Sequence, residues 1–269
     1  MINKIIKFLP AFFLVAFSGF AHAQDTYTNS IGMEFVLIQP GSMIVGKFEP
    51  TVGKPAGRNA PSAAAFELAE KMAKEAYMPG FPVTLDRPYY IGRFEVTQEQ
   101  WVKVMGNNPS VFQGDRVAEN TANHPVDNIS WKEAQAFVKK LNKLDKANTY
   151  RLPTEFEWEY AARAGAKDDI SWTDIRATAV LGGANPSAVG QKKPNAWGLY
   201  DMLGNVWEWT QDFYNEKIFA DPVPPRSGKQ HVLKGASFVG DVKNATYMTH
   251  AAGPGNGYDI GLRIVMESK

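Results

Sequence analysis

Apolar and polar residues recur with two different periods along this chain, and the period distinguishes helices from strands. Apolar positions at helical spacing predict an amphipathic helix over 63–77, ended by Pro79-Gly80. Short apolar runs on either side of Pro40-Gly41 predict a β-hairpin over 33–46, and a second strand pair is predicted over 81–96.

Three further helix starts are marked by residues of N-cap type. Thr97 is followed by Gln100, and Ser130 by Glu133, which is the spacing of a capping box. A third helix is predicted to begin near Thr154. Apolar side chains recur on one side of the segment after Ser130, so this helix is predicted to pack against a core.

The remaining segments indicate the fold class. The pattern predicts loops over 47–61, 165–196 and 213–230, and strands over 232–238 and 261–266. Few helices among short strands and long loops favour an α+β fold with a single domain. The chain has no Gly-rich phosphate loop, which argues against a nucleotide-binding fold.

The first residues have the pattern of an export signal. Lys4 and Lys7 precede a mostly apolar run, and Ala21-His22-Ala23 has the small-x-small form of a cleavage site. Residues 1–23 are therefore predicted to be a signal peptide and 24–269 the mature domain, exported to a periplasm or secreted. No later run approaches the roughly 20 apolar residues of a spanning helix, so no transmembrane segment is expected in the mature chain.

Composition narrows the possible chemistry. The chain has no cysteine, which excludes disulfides, thiolate metal sites and thiol nucleophiles. Its formal net charge is +1, with Lys and Arg scattered among Asp and Glu, so a nucleic-acid partner is not expected.

One segment, residues 198–212, combines several constraints. Trp207 and Trp209 share strand parity and can bury a large aromatic area, while Glu208 points to the other side. A Gly-Asn turn lies just upstream, and its carbonyls together with a carboxylate are the oxygens that a hard cation collects. Without further information, a structural turn before a buried strand explains the same residues.

The order of the motifs resembles the formylglycine-generating enzyme (FGE)-sulfatase superfamily, a branch of the C-type lectin-like fold. The resemblance spans nearly all of the mature chain and includes segments that begin at Gly32, Arg93, His124, Arg151, Gly204, Leu233 and Gly261. It implies a C-type lectin-like single domain. It also implies a structural calcium ion held by Asp201, the carbonyls of Gly204 and Val206, and Glu208.

The resemblance ends at the family's catalytic cysteine pair. Alignment places Gly240 and Ala245 at those positions, so this chain has no copper site there and cannot form formylglycine by the cysteine mechanism. The same segment contains Asp241, Tyr247 and His250, which predict an acid–base site in one cleft. An isolated histidine in a polar loop is nonetheless more often only hydrogen-bonded.

Three functions agree with these features, and whether the protein is an enzyme stays open. One is a periplasmic maturation enzyme for oxidative tailoring, as in the cysteine-free branch that forms a siderophore chromophore. Another is a non-catalytic binding module, because C-type lectin-like folds display variable loops on a rigid scaffold. An accessory subunit of an exported enzyme complex is the third. The ligand, whether small molecule, peptide or protein, is not specified by the sequence.

Overall fold

A computed structural model describes residues 25–49, 62–75, 77–117, 119–220 and 222–268. The predicted signal peptide and most of the predicted loop over 47–61 lie outside these ranges. The fold is α+β, as predicted from the sequence. No helix of the described residues is long and apolar enough to cross a bilayer.

The described residues form five α-helices and eleven strands. The helices are α1 Ala63–Glu75, α2 Gln98–Met105, α3 Trp131–Leu144, α4 Glu155–Arg163 and α5 Trp172–Thr178. The strands are β1 Thr26–Thr28, β2 Glu34–Ile38, β3 Gly41–Phe48, β4 Met78–Leu85, β5 Tyr89–Gly92, β6 Asn148–Arg151, β7 Trp207–Phe213, β8 His231–Lys234, β9 His250–Ala252, β10 Ile260–Leu262 and β11 Val265–Ser268. Two 3₁₀ turns cover Gly114–Arg116 and Val242–Asn244.

The largest sheet has five antiparallel strands in the order β1-β2-β5-β11-β6, and it separates two hydrophobic cores. Successive strand residues point to opposite faces, so Phe35 packs in one core and Val36 in the other. The first core includes Trp101 of α2 stacked on Phe137 of α3, with ring centroids 5.1 Å apart. The second core contains the buried apolar residues of α4 and α5, among them Trp158.

A second sheet has the order β10-β7-β8-β9. It contains Glu208, a predicted calcium ligand, and His250, a predicted acid–base residue. Strand β7 runs parallel to β10 and antiparallel to β8, so it lies between them. Trp209 of β7 is buried in the first core, and its Nε1 donates to the carbonyl of Ile129. Strand β9 places His250 at the edge of this sheet.

Both predicted strand pairs are wrong in their pairing. Strands β2 and β3 form on either side of Pro40, but β2 pairs with β1 and β5, whereas β3 pairs with β4 in a separate two-stranded sheet. A Cβ at Gly41 would clash with the hydroxyl of Tyr160, so a larger residue fits at the start of β3 only if that ring moves. Strands β4 and β5 likewise belong to different sheets.

Two other predictions differ from the structure in their boundaries. Helix α1 ends at Glu75, and Pro79 and Gly80 lie within β4 instead of ending the helix. None of its residues is buried, so its apolar stripe lacks the core contact that amphipathicity predicts. Helix α5 lies in a segment predicted as loop, where Ser171 caps it by accepting from the backbone NH of Asp174.

Candidate functional site

The site is built around the segment after β8, where the resemblance places the family's cysteines and where the sequence predicts an acid–base cleft. His250 lies on β9, and its Nδ1 is 3.0 Å from Oε1 of Glu155 at the start of α4. The imidazole ring also packs between Tyr214 and Phe219, at centroid distances of 5.1 and 4.9 Å. His250 is therefore held by a carboxylate and two aromatic rings.

Glu155 belongs to a buried ion-pair network that continues away from His250. The ammonium of Lys234 lies 3.1 Å from Oε2 of Glu159 and 4.0 Å from Oε1 of Glu155. Arg163 donates to the other oxygen of Glu159 at 2.7 Å. Because the side chains of Lys234 and Glu159 are fully buried, removal of one partner would leave an unpaired charge in the core. These contacts connect α4 to β8 and give the network a structural role.

Tyr247 faces this network through its backbone and a different cavity through its ring. Its carbonyl accepts from Nζ of Lys234 at 2.9 Å, and its ring lies 5.4 Å from the guanidinium carbon of Arg163. Burial is the main reason that the pKa of its hydroxyl is raised. Tyr247 and Arg163 line a cavity of about 630 Å³ that extends to Asp201.

Asp241 lies neither in the ion-pair network of Lys234 nor in the lining of the 630 Å³ cavity. It precedes the Val242–Asn244 turn, and its Oδ1 accepts from the backbone NH of Lys243 at 3.0 Å. It lines a second cavity of about 570 Å³. None of the side-chain hydrogen bonds and ion pairs within the described ranges joins Asp241, Tyr247 and His250 to one another. The structure therefore does not assemble these three side chains as the predicted acid–base constellation.

The two positions aligned with the family's cysteines have different surroundings. Gly240 lines the 570 Å³ cavity, and its NH donates to the carbonyl of Ser237 at 2.8 Å. Ala245 is fully buried and packs in the second core with Ile175 of α5. Gly240 therefore faces a cavity, whereas Ala245 is enclosed by core residues.

The cavity beside Gly240 has a basic rim that the sequence analysis missed. Trp172 and Arg176 of α5 line it together with Lys192 and Lys243. Trp172 and Arg176 are four residues apart, which places them on one face of the helix. This spacing after a Ser N-cap is the signal that the sequence offers, but the segment lacks a long apolar period, so its pattern predicts a loop.

The predicted calcium ligands lie beside a buried arginine. Glu208 is buried, and Arg263 donates to both of its carboxylate oxygens through Nε and to Oε1 through Nη2 at 2.8 Å. Trp158 Nε1 also donates to Oε2 of Glu208 at 2.6 Å. Asp201 is different, because its Oδ2 accepts from the NH of Gly190 while its buried Oδ1 has no partner.

Of the two side chains in the predicted calcium shell, only Asp201 has a carboxylate oxygen without a partner. Its Oδ1 has free acceptor capacity, whereas the oxygens of Glu208 are engaged by Arg263 and Trp158, so the negative charge of Glu208 is already neutralised. Within the described residues, no group of three or more acidic, His or Cys side chains is arranged to hold a metal. The other two predicted ligands are the backbone carbonyls of Gly204 and Val206, and calcium at this site stays a prediction of the resemblance.

Glu95 completes this buried cluster and was also missed. Its carboxylate accepts from Nδ2 of Asn205 at 2.6 Å and from the NH of Val206 at 3.1 Å. Burial first, and then the negative charges of Asp201 and Glu208, raise the pKa of Glu95 well above its usual range. The sequence gives no sign of this contact, because Asn205 lies 110 residues further along the chain.

Comparisons with known proteins agree with the fold. The profile of the sulfatase-modifying factor enzyme 1-like domain matches residues 21–268. Chaperone protein LppX of Paenibacillus barcinonensis is 31% identical, over 73% of this chain and 86% of that protein. The formylglycine-generating enzyme of Streptomyces coelicolor is 33% identical over 52% of this chain and 50% of the enzyme, so the chain matches about half the length of that enzyme.

Two solved structures superpose over most of the chain. Treponema denticola variable protein 1 has 29% sequence identity and a TM-score of 0.64, covering 90% of this chain and 98% of that one. PvdO from Pseudomonas aeruginosa has 22% identity and a TM-score of 0.68, with 91% and 98% covered. At that identity, the likeness to PvdO concerns the fold alone.

Proposed function

Because the chain belongs to the sulfatase-modifying factor enzyme 1-like domain family and has no cysteine, we propose that it is an exported, non-catalytic binding protein that assists another exported protein. Formylglycine formation by the cysteine mechanism is excluded, since neither Gly240 nor Ala245 can bind copper or form a disulfide. This chain retains the family fold, in which a rigid scaffold carries long loops.

The observation that carries this proposal is the separation of the acid–base candidates. General acid–base catalysis needs groups within hydrogen-bond reach of one reacting atom. Here His250 is bound to Glu155, Tyr247 lines one cavity, and Asp241 lines another. The partner of His250, Glu155, belongs to the ion-pair network of Lys234. This network stabilises the packing of α4 against β8. A binding role makes no such demand on their geometry.

Two further observations support the proposal. A relative of which this chain covers 86% is named a chaperone protein, and a chaperone acts by binding. The pattern of residues 1–23 supports export, which would bring the protein to exported partners. Amino-terminal sequencing of the protein purified from its own host tests the export step. A chain that begins at Gln24 agrees with it, and a chain that retains residues 1–23 contradicts it.

The binding role is tested in the host by deleting the gene and comparing exported proteins and small molecules by mass spectrometry. A binding protein is expected to change the amount or folding of a partner without changing the covalent mass of any product. A maturation enzyme, the competing hypothesis, would instead leave a precursor of altered mass. Accumulation of such a precursor, reversed by the wild-type gene, would overturn the proposal.

Variants in the deletion strain separate the same two outcomes. We expect His250→Gln and Tyr247→Phe to restore the partner to at least half of its wild-type amount. Each replacement removes the acid–base chemistry of its side chain. Lys139→Gln on the exposed side of α3 serves as the control. Full loss of function in a stably folded His250→Gln variant would indicate chemistry at that residue.

A further inference from the structure

The cavity beside Gly240 is built on anchored backbone. Its volume of about 570 Å³ lies within the range of small-ligand sites, and Gly240 is one of its lining residues. The carbonyl of Gly240 accepts from the NH of Gly182 at 3.2 Å, and that of Phe238 accepts from Gly183 at 2.9 Å. On the other side, α5 is fixed by Ile175, which is fully buried. Part of the cavity lining is therefore anchored, by backbone hydrogen bonds on one segment and by the buried Ile175 on α5.

The rim of this cavity has an excess of positive charge. Arg176, Lys192 and Lys243 are all exposed, and none forms an ion pair or a side-chain hydrogen bond with another described residue. Asp241 supplies the one carboxylate of the lining, and its Oδ1 is used to cap the Val242–Asn244 turn. Three cations and one acid thus line this cavity, and the excess of positive charge favours an anionic ligand.

The same cavity presents apolar surface next to the charges. Trp172 is 55% exposed and Val239 is 49% exposed, although both are large apolar side chains. Trp172 lies on the same face of α5 as Arg176, so an aromatic surface and a guanidinium are offered together. A ligand that matches both features has an anionic group attached to an apolar body.

We propose that this cavity binds carboxylate-bearing ligands, and that the natural ligand is an acidic segment of the protein partner with an apolar residue beside the acid. The inference rests on the proposed binding function and specifies the site and chemistry of that binding. Arg176 and Lys243 would pair with the carboxylates, while Trp172 would cover the apolar side chain. The ligand binds without any covalent step.

Isothermal titration calorimetry with three probes tests the chemistry. The first is a capped five-residue peptide with Glu–Phe–Asp at its centre, the second is its Gln–Phe–Asn counterpart, and the third is phenylsuccinate. We expect the acidic peptide to bind at least about tenfold more tightly than the neutral one, and less tightly as the salt concentration rises. If phenylsuccinate binds and the acidic peptide does not, the ligand is a free acid. That result would overturn the proposal that the ligand is a segment of a protein partner.

Charge-removing variants identify the cavity. We expect Arg176→Gln and Lys243→Gln each to weaken the acidic peptide by about tenfold, because each loses a charge-assisted contact. Lys139→Gln on α3 is the matched control and should leave the affinity unchanged. Since all three residues are exposed, the variants should unfold at the wild-type temperature. Equal affinity of the acidic and neutral peptides, or an equal effect of Lys139→Gln, would overturn the proposal.

The double variant also separates this inference from the proposed function. When Arg176→Gln and Lys243→Gln are combined in the deletion strain, we expect the partner to fall to the amount seen without the protein. If the double variant restores the partner fully, the cavity is not the binding site, although the binding function stands. If a precursor of altered mass accumulates in the deletion strain, the binding function itself fails.

Discussion

Gly240 and Ala245 both stand where the family has a cysteine, but their surroundings differ. Both lack the thiol of the family's active site, but only Gly240 borders open space. A Cβ at Gly240 would lie 3.0 Å from the carbonyl of Ser237 and 3.5 Å from the side chain of Leu181. A small side chain is thus tight but faces the cavity, whereas any group at Ala245 is enclosed by core residues.

Single-cysteine variants measure this difference directly, because the natural chain has no thiol of its own. The thiol of Gly240→Cys is expected to react with a disulfide reagent at a rate near that of an exposed cysteine. In Ala245→Cys the reaction should be at least about 100-fold slower, since reagent reaches a buried thiol only after local unfolding. Full reaction of both variants in denaturant is the control. Equal reaction rates for the two folded variants would contradict the burial of Ala245.

Asp127 is expected to make the free energy of unfolding depend on pH. Its side chain is fully buried, Oδ1 accepts from the NH of Val111 at 2.6 Å, and Oδ2 has no partner. Burial raises its pKa to about 6. Because the native pKa lies above the unfolded value, protonation favours the folded state, and this contribution is lost as the pH rises from about 4 through 6.

Urea unfolding of Asp127→Asn at pH 4.5 and 7 tests that dependence. The variant does not titrate, so its free energy of unfolding relative to wild type should rise by about 2 kcal/mol between the two pH values. Asp115→Asn is the control, because Asp115 is exposed and its substitution should give no such change. A relative stability of Asp127→Asn that is independent of pH would rule out the raised pKa.

At the scale of elements, helix starts were predictable because their signals are local. Capping boxes at Thr97 and Ser130 are confirmed, with the side chains of Gln100 and Glu133 bonding back to the N-cap NH. Strand pairing was not predictable in the same way. The partner of β3 is β4, beyond the whole of α1, and nothing near Pro40 encodes that choice.

Ser130→Ala tests the energetic value of one cap. We expect it to lower the free energy of unfolding by about 1 kcal/mol, because the NH of Glu133 loses its acceptor at the start of α3. Ser130→Asp retains an acceptor and should stay within a few tenths of a kcal/mol of wild type. Equilibrium unfolding in urea measures both variants. Equal stability of the Ala and Asp variants would indicate that water replaces this cap.

At the scale of the whole molecule, Arg263 joins parts of the fold that are far apart in sequence. It donates to the carbonyls of Gly92 in β5 and Tyr200 in the loop before β7, and it pairs with Glu208 in β7. One guanidinium therefore connects the two larger sheets through charge-assisted hydrogen bonds. This internal cation lies where the resemblance implies calcium beside Glu208.

The pairing of Arg263 with Glu208 predicts a fold that does not require calcium. We expect EDTA to change the unfolding temperature of the purified protein by less than about 2 °C, with magnesium as the control cation. Differential scanning calorimetry before and after addition of millimolar calcium measures the effect. A rise of more than about 5 °C that is lost in Asp201→Asn would instead support the calcium site that the resemblance implies.

The α+β class, the capped helix starts and the absence of thiol chemistry can be predicted from the chain alone, because they follow from composition and from residues within one turn of each other. Tertiary packing defines the strand partners, the basic cavity beside Gly240 and the partner of Glu208. Arg263 lies 55 residues from Glu208, and Asn205 lies 110 residues from Glu95. Contacts at such separations depend on how the sheets pack, so they become defined only when the whole chain has folded.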